Sequence, residues 1–170
     1  MTLRPRQPVP NLDLPLVGAG RLSLKGERPD TFTMLVFYRG LHCPICKTYL
    51  ADLEAKIGAF KDNGVKAVAV TSETQDRAEQ TKKEWALQNL PLAYAMPIAL
   101  GREWGLSVSN GISDKEPKQF LEPGLFLVRP DLTLYAASVQ TMPFARPSFA
   151  DVLAAVKFVV KNNYPARGEA

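Results

Sequence analysis

Histidine occurs once in this chain of 170 residues and cysteine only twice. Two thiols and one imidazole fall short of the four ligands that a structural zinc site usually takes. His42 also directly precedes Cys43, an awkward spacing for sharing one tetrahedron. Half of a metal site is all that this set leaves open. No apolar run approaches the length of a membrane span, so no membrane partner is expected. A surplus of one charge is lacking too. There are 21 Lys and Arg against 17 Asp and Glu, the net charge is +4, and Lys82-Lys83 is the only adjacent basic pair. A nucleic-acid footprint needs clustered basic residues, so no nucleic-acid partner is expected. The opening Met1-Thr2-Leu3-Arg4-Pro5-Arg6 lacks the apolar stretch of a secretory signal, which makes the cytoplasm the expected location. Thiols there stay reduced, so a cysteine pair reads as catalytic or metal-binding and not as a structural staple.

What the chain does have is concentrated in Leu35-Val36-Phe37-Tyr38-Arg39-Gly40-Leu41-His42-Cys43-Pro44-Ile45-Cys46, which holds both cysteines and the histidine. The apolar residues at its head read as a buried strand that Gly40 breaks. From Cys46 onward Tyr49, Leu50, Leu53, Ile57 and Phe60 recur at helical spacing. The Cys-x-x-Cys pair therefore lies where a strand gives way to a helix. The free N–H groups and dipole at a helix N-terminus favour an anion, and the thiolate is the reactive form of cysteine. Pro44 has no N–H to lose at a first helical position, and its φ is already set for one.

The length suits a single domain spanning 1–170. Residues 1–11, rich in Pro and Arg, are expected to be extended. Leu12–Leu16 and Arg21–Leu24 flank Gly18-Ala19-Gly20 and read as a hairpin. Thr33–Tyr38 is a buried strand, Cys46–Phe60 a helix closed near Asn63-Gly64, and Val65–Val70 the next strand. Ser72 and Gln75 resemble a capping box that opens a helix through Trp85. A short strand, Leu92–Ala95, and a short helix, Leu100–Trp104, follow. Ser107–Gln119 reads as a polar surface loop. Leu125–Val128 and Leu134–Val139 are strands joined by a turn at Arg129-Pro130-Asp131-Leu132. Ser148 caps a last helix that presents Phe149, Val152, Leu153, Val156 and Val159 on one face and stops at Asn162-Asn163. Strands alternating with helices, then a hairpin and a helix, make an α/β layered domain with a mixed sheet. Trp85 and Trp104 fall in helical patterns and read as packing residues.

This order, with Cys43-Pro44-Ile45-Cys46 at the first strand-to-helix junction, resembles the thioredoxin fold. More narrowly it resembles the peroxiredoxin-like (alkyl hydroperoxide reductase/thiol-specific antioxidant, AhpC/TSA) branch, across nearly the whole chain. Pro8-Val9-Pro10-Asn11-Leu12-Asp13-Leu14-Pro15 is similar to the opening segment of that family. Phe37–Cys46 is similar to the motif of a subgroup that carries Phe-Tyr-Arg-Gly before Cys-Pro-x-Cys. Pro123-Gly124-Leu125-Phe126-Leu127-Val128-Arg129-Pro130-Asp131 is similar to its late strand and turn. The resemblance implies a central mixed β-sheet flanked by helices, with an N-terminal hairpin. It implies a thiol-based oxidoreductase or antioxidant that needs no bound organic cofactor, takes a peroxide or disulfide substrate and is served by a thioredoxin- or glutathione-type thiol donor. It allows a homodimer.

Two positions depart from the family pattern. Gly40 stands where typical peroxiredoxins have a Thr that helps hold the peroxide. Pro123 stands where they have an Arg, and where thioredoxins carry a cis-proline facing the cysteine pair; the resemblance makes a cis Glu122–Pro123 bond the expectation. With both family donors replaced, peroxide reduction slower than in typical members is expected, with more room for thiol–disulfide exchange.

Cys43 is the expected nucleophile. Cys46, one helical turn later, is the expected resolving thiol, since an i,i+3 pair at a helix start can meet disulfide geometry. Arg39 reads either as a cation beside the thiolate, in place of the missing Arg, or as a surface ion pair. His42, where thioredoxins have Trp, reads as a charge that lowers the Cys43 pKa or as an exposed loop residue. Arg146 is similar to the second Arg of peroxiredoxins, and its alternative is a surface charge beside a helix. Gly40, Pro44, His42 and Arg146 form the expected substrate lining; Arg39 and Pro123 join the cysteines as expected catalytic residues. The rivals are a disulfide reductase without peroxidase activity, a dimer joined by a metal or iron–sulfur cluster through Cys43, and a redox-sensing module.

Overall fold

The computed structural model describes residues 3–170; Met1 and Thr2, at the head of the segment expected to be extended, lie outside them. The chain opens with a small hairpin, β1 (Asp13–Pro15) and β2 (Arg21–Ser23), with Leu14 opposite Leu22. Next come β3 (Phe32–Phe37), α1 (Pro44–Asp62), β4 (Val65–Val70), α2 (Gln75–Glu84), β5 (Leu92–Ala93) and α3 (Ile98–Glu103). The remaining elements are β6 (Val108–Asn110), β7 (Gln119–Leu121), β8 (Gly124–Val128), β9 (Leu134–Val139) and α4 (Phe149–Asn162).

Five strands form the central sheet in the order β5-β4-β3-β8-β9. β3 lies in the middle, parallel to β4 and antiparallel to β8, and all six of its residues are buried. A strand covered on both faces reads as a continuous apolar run, which is what Phe32–Phe37 is. Alternation of side chains sorts the core into two layers. Met34 and Val36 face α1 and α4, packing with Leu50, Leu53, Phe149 and Val156. Leu35 and Phe37 face the other way, onto Leu14, Leu22, Trp104 and Phe126. The result is the mixed α/β sheet flanked by helices, with the N-terminal hairpin in the second layer, that the sequence implied. Both tryptophans are packing residues: Trp104 lies against Phe37 and Phe126, and Trp85 against Tyr38.

The register positions the site. Phe37, the last residue of β3, pairs with Val70, the last of β4, and with Gly124, the first of β8. Three chain segments thus leave or enter the sheet along one edge, the carboxyl end of the parallel pair, where open α/β sheets place ligands.

Three local expectations fail. Ser107–Gln119 is not a loop throughout, because β6 pairs with β7, Val108 opposite Leu121 and Asn110 opposite Gln119. Val108 packs on the core while the polar tip stays in solvent, so composition reported the tip and hid the strand. Ser72 does not cap α2: the helix starts at Gln75 behind Thr74, with no side-chain cap bond. Residues 3–11 are not simply extended either. The chain turns at Pro5-Arg6, with Arg6 at φ 68°, and Arg6 N–H donates to Leu134 O at 2.7 Å. That turn lets Pro8 bridge to Thr133 beside the sheet edge.

Candidate active site

Cys43 is the N-cap of α1 and Pro44 its first residue. Its sulfur takes over the capping role of a Ser or Asp oxygen: Cys46 N–H donates to Cys43 Sγ at 3.3 Å. The Cys43 N–H is itself held by Gly40 O at 3.1 Å, which fixes the turn before the helix. Both cysteines are free thiols. Cys43 is 3% accessible and Cys46 fully covered, so both thiols are recessed at the start of α1.

The two sulfurs are pulled apart electrostatically. The Cys43 thiol is lowered to about 6, chiefly by hydrogen bonding from the Cys46 thiol; burial opposes this, and the Cys46 N–H, Arg146 and Arg39 reinforce it. Cys46 is pushed up by burial and by its bond to Cys43. One thiolate and one thiol at neutral pH is the arrangement a nucleophile and a waiting partner need.

Two guanidinium groups reach this edge. Arg39, just past β3, pairs with Glu122 at 3.1 Å and lies over the Phe120 ring at 4.8 Å. Arg146, just before α4, donates from Nη2 to Cys46 Sγ at 3.0 Å, lies 5.0 Å over the Tyr49 ring and is held through Nε by Pro143 O. Arg146 is not the surface charge that was its alternative, since it bonds a buried sulfur; Arg39 does form an ion pair, but with a buried partner, Glu122. Arg39 Nε and Arg146 Nη1 are buried donors without an acceptor among the described residues.

Gly40 has φ 143°, and a Cβ there would run into the Glu73 carboxylate. The space of the family Thr is therefore filled by Glu73. Glu73 accepts from Leu41 N–H at 2.9 Å and from Arg77 Nε at 2.7 Å, and its side chain is fully buried. Burial alone would raise its pKa, but the donors around it hold it below the ordinary carboxylate value.

His42 meets neither expectation. Its side chain is 4% exposed, its ring packs on Phe120 at 4.8 Å, and Nδ1 lies 3.9 Å from Glu73 Oε1, ion-pair reach but too long for a hydrogen bond. The cations acting on Cys43 are Arg146 and Arg39. Pro123 is also corrected. No cis peptide bond occurs among the described residues. Glu122 N–H donates to Ser107 O at 2.8 Å and Pro123 O accepts from Gln140 N at 2.9 Å, so the link from β7 to β8 runs extended, which a trans bond permits. Pro123 lines a small recess with Tyr49 and Arg146.

Sequence reading missed Glu73, Glu122, Phe120 and Tyr49. The one available signal was an acid, Glu73, at the carboxyl end of a parallel strand. An open groove of about 950 Å³ between Glu27, Glu54, Lys61 and Lys66 touches neither cysteine. Among the described residues, no three His, Cys, Asp or Glu side chains are grouped to hold a metal, and no helix is long and apolar enough to cross a membrane.

The AhpC/TSA family profile matches residues 5–137. The chain belongs to that family. It is a thiol-based oxidoreductase of the peroxiredoxin type. Solved structures share the fold at low identity. Peroxidoxin BcpB from Mycobacterium tuberculosis is 13% identical at a TM-score of 0.76, covering 92% of this chain and 98% of that one. Enterococcus faecalis AhpC is 14% identical at 0.75, covering 98% and 99%. The reduced 2-Cys peroxiredoxin of Plasmodium vivax is 13% identical at 0.75, covering 94% and 85%. A search of curated proteins by sequence found no match.

Proposed function

We propose that this AhpC/TSA protein is a single-domain cytoplasmic peroxidase in which Cys43 is oxidised by a peroxide and Cys46 resolves it. The Cys43 thiolate attacks one peroxide oxygen, the O–O bond breaks, and Cys43 becomes a sulfenic acid while the departing oxygen leaves as an alcohol or water after protonation. Cys46 then attacks the Cys43 sulfur, a disulfide forms, and the sulfenic oxygen leaves as water. A thioredoxin- or glutathione-type dithiol or thiol pair reduces the disulfide and is itself oxidised.

The observation that carries this reading is the Cys43 sulfur capping α1 at 3.3 Å from the Cys46 N–H, with Arg146 and Arg39 both acting to lower its pKa. Charge develops on the departing oxygen, and prearranged donors there supply much of such catalysis. Arg39 Nε and Arg146 Nη1 are buried and uncommitted, and so suited to that oxygen. A cysteine only 3% accessible also favours a small oxidant over a folded protein disulfide.

The test is single-turnover oxidation of reduced protein by hydrogen peroxide, an organic hydroperoxide and a model disulfide, side by side, with peptide mapping of the products. Peroxide is expected to react faster than the disulfide and to leave a linked Cys43–Cys46 peptide. Reaction with the disulfide alone would make the protein a disulfide reductase.

A further inference from the structure

Arg146 is bound to the wrong sulfur for a residue whose task is confined to peroxide. Its Nη2 donates at 3.0 Å to Cys46, the thiol that waits, and not to Cys43. The contact is built from three sides. Pro143 O holds Nε, the Tyr49 ring lies under the guanidinium at 5.0 Å, and Tyr49 Oη donates to Pro147 O at 2.6 Å, tying the ring to the segment that carries Arg146. The Cys46 sulfur is fully covered, and its N–H already serves Cys43. The helix start therefore stabilises the first sulfur, and Cys46 has Arg146 as its cation.

We propose that Arg146 is the catalytic residue of the resolving step, stabilising the Cys46 thiolate as it attacks oxidised Cys43. This rests on Cys46 being the resolving thiol. Before oxidation the negative charge sits on Cys43, and a second thiolate beside it is disfavoured by repulsion. Attack on peroxide converts Cys43–S⁻ to neutral Cys43–SOH, and that repulsion ends. The Cys46 proton then leaves for solvent, the anion forms against Arg146, the new S–S bond closes, and hydroxide departs from Cys43 and takes up a proton as water. One fixed cation serves two sulfurs in turn, and the order is imposed by the charge on Cys43. Consistent with this, Arg146 acts to lower the thiol values of both cysteines while burial and Cys43 hold Cys46 up.

The experiment is rapid-quench oxidation by stoichiometric hydrogen peroxide, with a dimedone-type reagent to count sulfenic acid and mapping to count disulfide, across pH 6–10. The proteins are wild type, Arg146→Gln and Arg146→Lys. In Arg146→Gln the sulfenic acid is expected to persist about tenfold longer or more at pH 7, the equivalent of at least one pKa unit on Cys46. The deficit should shrink as pH rises, and disulfide formation should be slowed more than Cys43 oxidation. Arg146→Lys keeps the charge and is expected to keep the wild-type pH midpoint of resolution. A midpoint raised by a unit or more in the Lys protein overturns the proposal, and so does a deficit in the Gln protein that ignores pH, the mark of a merely structural role. A wild type that forms no Cys43–Cys46 disulfide sinks the resolving role of Cys46 and this inference with it. A wild type that forms it no faster than Arg146→Gln sinks this inference alone.

Discussion

Gly40 and Glu73 share one space: a Cβ on Gly40 would overlap the Glu73 carboxylate that holds Leu41 N–H at 2.9 Å. The turn before Cys43 is thus shaped by a buried acid from the far side of the parallel strand pair, and a threonine cannot be regrafted there.

Gly40→Thr is expected to destabilise the protein and to bring no gain in peroxide reactivity. A side chain at φ 143° costs about 1–3 kcal/mol in backbone strain before Glu73 is displaced. Denaturant unfolding of the reduced protein measures the first effect and single-turnover oxidation the second. An unchanged midpoint with faster oxidation would show that the space is open.

Thiolate absorbance against pH is expected to give Cys43 a midpoint near 6. Cys46→Ala removes the largest cause, so the midpoint should rise toward the free-thiol value of about 8.5 and stop short of it, since Arg146 and Arg39 remain. The folded-state value is lowered, so Cys43 contributes stability in full above the free-thiol pKa and loses it as pH falls through about 6. The stability advantage of wild type over Cys43→Ser should therefore grow between those two pH values. An advantage that shrinks over that interval would reverse the assignment of the thiolate.

Arg39→Ala leaves the Glu122 carboxylate, 4% exposed, with the Ser109 hydroxyl as its remaining side-chain donor. Breaking a buried pair on one side typically costs about 3–5 kcal/mol, and the loss here is expected near the low end because Ser109 remains. The double variant Arg39→Met/Glu122→Gln, with no stranded charge, should recover most of it. Chemical denaturation of wild type, Arg39→Met, Glu122→Gln and the double variant gives the coupling; equal losses in Arg39→Met and the double variant would mean that the pair is solvated.

Cys43→Ser is expected to abolish peroxide turnover. Cys46→Ser should still be oxidised at Cys43 and stall as sulfenic acid or as a mixed disulfide with an added thiol. Alkylation followed by mass mapping orders the two thiols. Faster labelling of Cys46 in wild type would exchange their roles.

Elements with strong periodicity were legible from sequence. β4 has the expected limits, Val65–Val70, and β3 is displaced by one residue. α1 starts two residues earlier than its apolar spacing implied, because Cys43 caps it and Pro44 can open it. The pairing of β6 with β7 was not legible, since three-residue strands carry no measurable alternation. In the site, the motif exposed the cysteines, and the family resemblance pointed to Arg39 and Arg146 while misplacing the proline isomer. Glu122 had no local signal, and Glu73 only its place just past a parallel strand. Their bonds to Leu41 and Arg39 span 32 and 83 residues of chain, and only the register of the sheet brings them together.

The β6–β7 ribbon is anchored unevenly, and this bears on how such a chain can drift. At its inner end Phe120 supports both His42 and Arg39. At its tip Lys115 O accepts from Arg77, the residue that also holds Glu73, while the side chain of Ile112 stands 91% exposed and its N–H donates to Glu116 Oε2 at 2.7 Å. Insertions between Ile112 and Asp114 are expected to cost little beyond the local turn bonds of Glu116 to Ile112 and Ser113. Deletions that reach Lys115 would be felt, through Arg77 and Glu73, at the turn before Cys43. Across a lineage of such proteins the ribbon should vary in length on its outgoing flank and hold its length on the return.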